Sequence, residues 1–210
     1  MPNVLAIIQA RMKSTRLPGK VVMPFGNATI IERIFLQAAR AKNVNDVCVA
    51  VPFTDFALHK FLVNNVIPIY VGSEADVLDR YYQCARLVTP DHIVRLTADC
   101  PLLNSQVIEK TVREHLKSKA DYTANRLIAP MYPDGFDVEV FTFGMLERAW
   151  KNAYLPDDRE HVTPWMKEHG GCRAVLCQKN LLKWEKTKLS IDTQVDYKRV
   201  LRWKEKNLWK

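Results

Sequence analysis

A cluster of cationic side chains follows the first apolar run of the chain. Arg11, Arg16 and Lys20 stand within one ten-residue loop, shortly after the apolar run 4–8, which is rich in branched residues. Small and hydroxyl residues are interleaved with them: Ser14, Thr15 and Gly19. Open α/β sheets bind anionic ligands in loops at the carboxyl ends of buried parallel strands. Any one of these cations could simply be solvated, but three in one short loop favour a cradle for a phosphate chain.

Two aspartates far apart in sequence occupy equivalent positions. Asp99 follows the apolar run at 92–97, and Asp192 follows the short apolar run at 188–191. The carboxyl ends of parallel strands meet at one sheet edge, so both carboxylates are expected beside the cationic loop. Mg²⁺ takes one or two carboxylates and completes its octahedron with phosphate oxygens and water. The pair therefore predicts a magnesium–nucleotide site, although Asp192 alone could equally cap a helix that begins near Gln194.

The elements that must position these residues follow from the apolar periodicity. Predicted strands at 3–8, 46–51, 67–71 and 92–97 alternate with predicted helices at 29–42, 54–64, 75–88 and 104–118. This βαβαβαβ order is typical of a parallel sheet with helices on both faces.

The alternation breaks after Asp121. The later predictions are a strand ending at 125–126, a strand at 137–141, helices at 144–153 and 158–168, strands at 173–178 and 188–191, and a closing helix at 194–206. We expect these strands to extend the same sheet, partly in antiparallel fashion, rather than form a separate domain. The predicted fold is therefore a single three-layer α/β/α domain over 1–210, with a mostly parallel, Rossmann-like sheet and a mixed C-terminal half.

Composition disfavours several classes of protein. No apolar run approaches the roughly 18 residues that would cross a bilayer, and no signal peptide precedes the first strand, so we expect no membrane insertion. The five cysteines contain no C-x-x-C pair, which favours reduced thiols in the cytoplasm over disulfides or a zinc site. The loop matches neither G-x-x-x-x-G-K-[ST] nor G-x-G-x-x-G, so a P-loop NTPase and a dinucleotide-binding domain are disfavoured.

The net charge of +8 raises the question of nucleic-acid binding. Much of the excess lies at 179–210, where ten Lys or Arg stand against four acids. Trp184, Trp203 and Trp209 are interleaved with these cations. Such a mixture could contact RNA or an anionic membrane surface. A solvated helix whose aromatic side chains pack on the domain or on a second subunit is the commoner case, and we favour it over nucleic-acid binding.

Taken together, the motifs resemble the cytidylyltransferase family that activates acidic sugars, which includes the acylneuraminate and 3-deoxy-manno-octulosonate cytidylyltransferases. The resemblance is strongest to the branch of the spore-coat polysaccharide biosynthesis protein F. It rests on five segments in the expected order: 8–12 (Ile-Gln-Ala-Arg-Met) with 14–20, 97–102 (Thr-Ala-Asp-Cys-Pro-Leu), 132–140 (Tyr-Pro-Asp-Gly-Phe-Asp-Val-Glu-Val), 158–164 (Asp-Arg-Glu-His-Val-Thr-Pro), and 190–193 with 196–197.

The resemblance implies a nucleotidyltransferase with a nucleotide-binding half at 1–120 and an acceptor-binding, metal-completing half at 121–210. In the implied reaction, an acidic-sugar oxygen attacks the α-phosphorus of CTP with Mg²⁺ present, giving a CMP-sugar for polysaccharide or glycoconjugate synthesis and pyrophosphate. The implied catalytic residues are Arg11, Lys20, Asp99 and Asp192, of which the two aspartates hold Mg²⁺. The implied nucleotide contacts are Gln9, Ala10, Arg11, Ser14, Thr15, Arg16, Lys20, Gly72, Ser73, Asp76 and Thr97. Lys13 departs from the family pattern, which has a small residue there.

An acceptor of the nonulosonic-acid type is expected to meet polar residues of the second half. The candidates are Asn125, Tyr132, Asp134, Asp137, Glu139, Arg159, Glu160 and His161. Arg159 suits bidentate pairing with a carboxylate or phosphate, whereas His161 could equally be a structural histidine. The family also suggests a homodimer through residues 130–170.

Two other classes of function are open at this point. A metal-dependent glycosyltransferase would use a nucleotide-sugar and typically carries Asp-x-Asp after a strand, but the sequence after the fourth predicted strand is Ala-Asp-Cys at 98–100. A non-enzymatic RNA-binding protein would use the basic C-terminus and bind RNA with a steep salt dependence. That second alternative leaves the paired aspartates and the cationic loop unexplained.

Overall fold

The computed structural model describes residues 2–129 and 131–207, which form a seven-stranded sheet with helices on both faces. The first half supplies four parallel strands: β1 (Val4–Gln9), β2 (Asp46–Pro52), β3 (Ile69–Gly72) and β4 (His92–Thr97). β1 lies between β2 and β4, and Gln9 pairs with Thr97. The carboxyl ends of β1 and β4 therefore share one sheet edge, as the sequence predicts.

Four helices of the first half alternate with these strands: α1 (Ile30–Arg40), α2 (Phe56–Asn64), α3 (Val77–Arg86) and α4 (Ser105–Ser118). Each begins where a polar side chain accepts a hydrogen bond from its first turn: Thr29, Asp55, Asp76 and Asn104. Alternate residues of β1 pack into two hydrophobic cores, one with α1 and α4 and the other with α3. β1 is thus buried on both faces, as its continuous apolar run predicts.

The second half extends the sheet beyond β4. Its elements are β5 (Tyr122–Ala124), β6 (Glu139–Thr142), α5 (Phe143–Asn152), α6 (Pro156–His161), α7 (Pro164–His169), β7 (Cys172–Ala174) and α8 (Gln194–Asn207). β6 is antiparallel to both β4 and β5, and the strand order is β3-β2-β1-β4-β6-β5-β7. The predicted three-layer α/β/α fold with a mixed second half is confirmed.

Two predicted elements of the second half differ in extent. The single helix expected at 158–168 is two helices, because Pro164 has no backbone N–H to continue α6 and begins α7 instead. The strand expected at 173–178 ends at Ala174, since its partner β5 has only three residues.

The prediction of a strand at 188–191 was wrong. The only pairing described there is one isolated bridge between Lys188 and Asp134. Gly135, the next residue of the partner segment, has a φ of +102°, which is not extended backbone, so the pairing does not continue as a ladder. The chain still reaches the sheet edge, but it does so without a regular ladder.

The aromatic side chains of the basic C-terminal segment pack on the protein. The rings of Trp184 and Trp203 lie 5.6 Å apart between centroids, and Trp203 also meets the ring of Phe136. Trp203 is 9% exposed. These two tryptophans are therefore packing residues, whereas Trp209 lies outside the described residues. Across the described ranges, no helix combines the length and the apolar character that a membrane crossing needs.

Candidate active site

The cationic loop that follows β1 is held by backbone hydrogen bonds. Buried Asp55, which caps α2, accepts one from the N–H of Met12 at 2.6 Å. The Met12 carbonyl accepts from the N–H groups of Ser14 and Gly19, both at 2.9 Å. Gly19 has a φ of +74°, a conformation that glycine adopts without steric cost. The loop is therefore folded back on itself, which returns Lys20 to the sheet edge.

Lys20 brings the two candidate metal-binding aspartates together. Its Nζ lies 3.1 Å from Asp99 Oδ2 and 3.2 Å from Asp192 Oδ1, across 79 and 172 residues of sequence. The same Nζ donates to the carbonyl of Ile191 at 2.7 Å. Arg16 approaches Asp192 Oδ1 at 3.0 Å. Both carboxylates and the cationic loop thus meet at one point of the sheet edge.

Capping does not account for the position of Asp192. At the start of α8, the Thr193 hydroxyl accepts from the N–H of Asp196 at 3.2 Å, and the Asp196 carboxylate accepts from the N–H of Thr193 at 2.9 Å. This reciprocal pair is a capping box. Asp192 instead faces Lys188, at 2.8 Å, and Lys20. Burial opposes its ionisation, but these two lysines outweigh burial and lower the pKa of the Asp192 carboxyl.

A crevice beside the loop, named the first crevice, contains eight of the eleven residues expected to contact the nucleotide. Its full lining is Gln9, Ala10, Arg11, Lys13, Ser14, Thr15, Arg16, Lys20, Val21, Val77, Arg80, Thr97, Ala98, Asp99, Glu160, His161 and Asp192. Lys13, the departure from the family pattern, points its Nζ at Glu74 at 3.3 Å. The first crevice is therefore strongly cationic along the loop and acidic at its inner end.

The other three expected nucleotide contacts, Gly72, Ser73 and Asp76, lie behind this lining and support Arg80. The Arg80 guanidinium donates to the Ser73 carbonyl, and a Cβ on Gly72 would stand 2.9 Å from Arg80 Cγ. The Ser73 hydroxyl accepts from the N–H of Asp76 at 3.0 Å. Arg80 is 3% exposed, and its Nε has no hydrogen-bond partner in the described part of the chain. Sequence analysis missed Arg80; its signal is a cation on the apolar face of α3, three residues after Val77.

A second crevice lies on the other side of Asp99, beside β4, β5 and β6. Four of the eight expected acceptor contacts line it: Asn125, Asp134, Asp137 and Glu139. The rest of its lining is Arg95, Thr97, Asp99, Cys100, Ala124, Arg126, Val138, Lys167, Ser190 and Asp192. Sequence analysis gave Arg95 and Lys167 no function. The signal for Arg95 is a charge inside the otherwise apolar strand β4.

Glu139 binds the unexpected cations of the second crevice. Its carboxylate contacts Arg95 and Tyr122, accepts from the Thr163 hydroxyl at 2.9 Å and lies 3.1 Å from Lys167 Nζ. Burial opposes ionisation, but Arg95 and Lys167 outweigh it and lower the pKa of Glu139 to about 2. Glu139 is thus a permanent anion that pairs with both cations at the crevice wall.

The pKa of Asp137 is shifted in the opposite direction to that of Glu139. Burial raises its pKa to about 6, although Arg126 Nε, 2.9 Å from Oδ1, favours the ionised form. The N–H of Gly135 donates to the other oxygen at 2.9 Å. A carboxylate that exchanges a proton near neutral pH can accept one from a substrate hydroxyl.

The remaining acceptor candidates lie elsewhere. Tyr132 is fully buried. Arg159 forms the expected bidentate pair, but with Asp76 of this chain, its Nε lying 3.0 Å from Oδ2. Glu160 and His161 line the first crevice, not the second.

Three residues border both crevices: Thr97, Asp99 and Asp192, named the shared wall. Asp99 and Asp192 are the carboxylates that meet at Lys20. Groups bound in the two crevices would therefore approach each other at the candidate metal site.

A family model described as cytidylyltransferase matches residues 5–209. The chain belongs to the cytidylyltransferase family. This cytidylyltransferase is 38% identical to the uncharacterized protein MJ1063 of Methanocaldococcus jannaschii, covering 95% of this chain and 82% of that one. It is 32% identical to the spore coat polysaccharide biosynthesis protein SpsF of Bacillus subtilis, covering 95% and 85%.

Solved structures agree with this assignment. A cytidylyltransferase from Leptospira borgpetersenii is similar with a TM-score of 0.87 at 30% identity, covering 98% of this chain and 88% of that one. A CMP:2-keto-3-deoxy-manno-octonic acid synthetase, in complex with CTP, has a TM-score of 0.72 at 13% identity, covering 97% and 99%, and shows the fold alone. The predicted family is confirmed.

Proposed function

We propose that this cytidylyltransferase transfers CMP from CTP to an acidic sugar of the nonulosonic-acid type, with Mg²⁺ as cofactor, and releases pyrophosphate. The observation that carries the proposal is the shared wall, because Thr97, Asp99 and Asp192 border both crevices. CTP in the first crevice and an acceptor in the second would meet there. Nucleotidyl transfer depends mainly on such positioning and on charge stabilisation.

The cations of the first crevice support a triphosphate ligand. Arg11 is exposed, and the Lys13 and Arg16 side chains are 65% and 62% exposed, so their donors are accessible to phosphate oxygens. Lys20 is held deeper, with a side chain only 13% exposed, beside the shared wall. From there it can offset charge that develops on the α-phosphate and the leaving pyrophosphate.

Asp99 and Asp192 fit a Mg²⁺ ion. Their carboxylates already share one cation, the Lys20 ammonium, and the lowered pKa of Asp192 keeps its oxygens unprotonated. Mg²⁺ is commonly held by one or two carboxylates when substrate phosphates supply further oxygens. When bound, the ion would neutralise charge on the phosphates.

The second crevice supports a polar, acidic acceptor. Arg126 and Lys167 offer positive charge for a carboxylate, and Asp134 offers a partner for a hydroxyl group. Asn125 borders the same crevice, but its amide is bound to the backbone of Phe136 and Val138. Asp137, whose pKa burial raises to about 6, is the residue that we assign to accept the proton of the attacking hydroxyl.

The test is pyrophosphate release with Mg²⁺, with CTP, UTP, GTP and ATP offered in turn against a panel of nonulosonic and related acidic sugars. Release with CTP and one acidic sugar would support the proposal and identify the acceptor. Silence across the panel, with CTP still raising the melting temperature, would contradict the acceptor class. Silence without stabilisation by any nucleotide would contradict the first crevice as a nucleotide site.

Variants at the shared wall sharpen this test. Asp192→Asn should lower turnover by about a hundredfold or more, with little change in melting temperature, because it removes one charge and almost no volume. Lys188→Gln removes a lysine that also contacts Asp192 but lies outside both crevices, and should retain most activity. Lys20→Ala should lower kcat more than it raises the KM for CTP. Full activity of Asp192→Asn would contradict the metal role.

The homodimer expected through residues 130–170 is also part of the proposal. Tyr154 and Leu155 in this region are 85% and 55% exposed, which supports contact with a second copy. Analytical ultracentrifugation of the whole chain tests it, and a monomer at tens of micromolar would contradict it.

A further inference from the structure

Val162 has a backbone conformation that valine rarely adopts. Its φ is +72° and its ψ is −48°, and the N–H of Thr163 donates to the carbonyl of His161 at 2.8 Å. These values define the rarer, strained form of the γ-turn, and a positive φ is an outlier for a β-branched residue. The other described non-glycine residues with positive φ are Val66, Thr89 and Lys119. All three are exposed, whereas Val162 is fully buried.

The residues that directly precede the Val162 turn line the first crevice. Glu160 and His161, the last residues of α6, line that crevice. Arg159 binds the carboxylate of Asp76, which caps α3 by accepting from the N–H of Asp79 at 2.8 Å. α6 is therefore tied to the helix that carries Arg80 into the same crevice.

The residues that follow the turn contact Glu139 of the second crevice. Thr163, the next residue, donates to Glu139 at 2.9 Å, and Lys167, one turn into α7, lies 3.1 Å from the same carboxylate oxygen. Glu139 and Lys167 both line the second crevice. A single residue thus separates His161, which lines the first crevice, from Thr163, which binds Glu139 of the second.

We propose that Val162 is a positioning residue that couples the two crevices, so that nucleotide binding beside α6 moves α7 and Lys167 on the acceptor side. A change of φ and ψ at Val162 redirects everything that follows it, and α7 follows directly. Strained backbone persists where surrounding structure holds it, and it clusters at ligand sites and switch regions. The proposal rests on CTP binding in the first crevice, as proposed above.

Amide hydrogen exchange of the whole protein, with and without saturating CTP and Mg²⁺, tests the coupling. Exchange in residues 11–20 reports nucleotide binding, and exchange in α7 (Pro164–His169) reports movement beyond the turn. In the wild type we expect CTP to slow exchange in 11–20 and to change it in α7 by about fivefold or more, the lower end of usual coupling factors.

Two variants separate the strain from the loss of the side chain. Val162→Gly releases the strain, because glycine adopts positive φ freely, whereas Val162→Ala removes most of the same side chain and keeps the strain. We expect the α7 response to CTP to persist in Val162→Ala and to vanish in Val162→Gly, with 11–20 protected in both. The melting temperature of Val162→Gly should equal or exceed that of Val162→Ala.

Several results would overturn the coupling. Protection of 11–20 without an α7 response in the wild type would overturn it while leaving the nucleotide site intact. Equal responses in the two variants would overturn it as well. If Val162→Gly melts below Val162→Ala or does not fold, the Val162 turn is not strained, and the coupling loses its premise. Absence of protection at 11–20 in the wild type would overturn both this proposal and the proposed nucleotide site.

Discussion

The carboxylate of Asp55 contacts the N–H of Met12 at 2.6 Å, so the residue that caps α2 also fixes the cationic loop. Asp55 is 6% exposed, and its second oxygen accepts from the N–H of Leu58 at 3.4 Å. The shape of the loop therefore depends on a carboxylate 43 residues away that touches no crevice.

Replacing Asp55 with alanine should weaken CTP binding. Loss of the Met12 contact leaves a backbone N–H unpaired and loosens the loop, so the KM for CTP should rise about tenfold and stability should fall by about 1–3 kcal/mol. Steady-state kinetics and urea unfolding measure the two effects. Asn104→Ala is the matched control, because it removes the equivalent cap of α4, and Asn104 lines neither crevice. An equal rise in KM in both variants would show that the loop contact is unimportant.

The rate should depend on the protonation of Asp137. Burial raises the pKa of Asp137 to about 6, so its carboxylate is available as a proton acceptor above that pH and is lost below it. We expect kcat/KM for the acceptor to rise with pH through an inflection near 6. Asp137→Asn should remove the inflection and lower the rate, while Asp134→Asn, in the same crevice, should keep it. An unchanged profile in Asp137→Asn would assign the inflection to another group.

A histidine pair with one fully buried member, His115, should make the protein sensitive to acid. His92 Nδ1 lies 3.0 Å from His115 Nε2, and His115 Nδ1 lies 2.8 Å from the Thr123 hydroxyl. Burial, reinforced by His92, lowers the pKa of His115 to about 4. An unfolded histidine titrates near pH 6.5, so between these values the unfolded state binds more protons. The stability contribution is therefore complete above about pH 6.5 and falls as the pH decreases toward 4.

This contribution can be measured by urea unfolding between pH 4.5 and 7.5. The wild type should lose up to about 3 kcal/mol across the window from this group. His115→Gln should flatten the slope by that amount, whereas His161→Gln, at an exposed site, should leave the slope as in the wild type. Parallel slopes in wild type and His115→Gln would mean that other groups cause the acid loss.

Gly135 should tolerate no side chain. A Cβ there would lie 2.5 Å from the carbonyl carbon of Leu189 and 2.6 Å from its oxygen, and the φ of +102° is itself unfavourable for alanine. Gly135→Ala should cost more than about 2 kcal/mol and lower turnover, because it displaces the segment that leads to Asp192. Gly144→Ala is the control, since nothing lies within 4 Å of its added Cβ. Similar stability in both variants would contradict the close approach.

The first half of the fold could be predicted closely because its signals are local. The strand expected at 92–97 is the observed β4, and the helix expected at 104–118 is α4 (Ser105–Ser118), whose start is set by the Asn104 cap. Continuous apolar runs and capping residues act within a few positions of the element that they specify.

The rest depends on pairing between distant segments. The lengths of β5 and β7 are set by each other, and Arg95 becomes a crevice residue only because β6 places Glu139 beside it. From the sequence alone, Arg159 is a candidate ligand-binding cation. In the structure α6 packs beside α3, and the Arg159 guanidinium binds Asp76 instead. Sequence spacing holds no information about such partners. The two aspartates and the cationic loop were therefore predictable, whereas Arg80, Arg95 and Lys167 were not.

The contact between Lys20 and Asp192 spans 172 residues, so its two partners are synthesised at different times. During synthesis from the N-terminus, the phosphate loop and Asp99 leave the ribosome long before Asp192 does. Under the proposed mechanism, a nascent chain that lacks Asp192 has only one of the two metal-binding carboxylates and would turn over no CTP. The same holds for a chain cut by a protease before residue 188. Under that mechanism, incomplete molecules would consume no CTP.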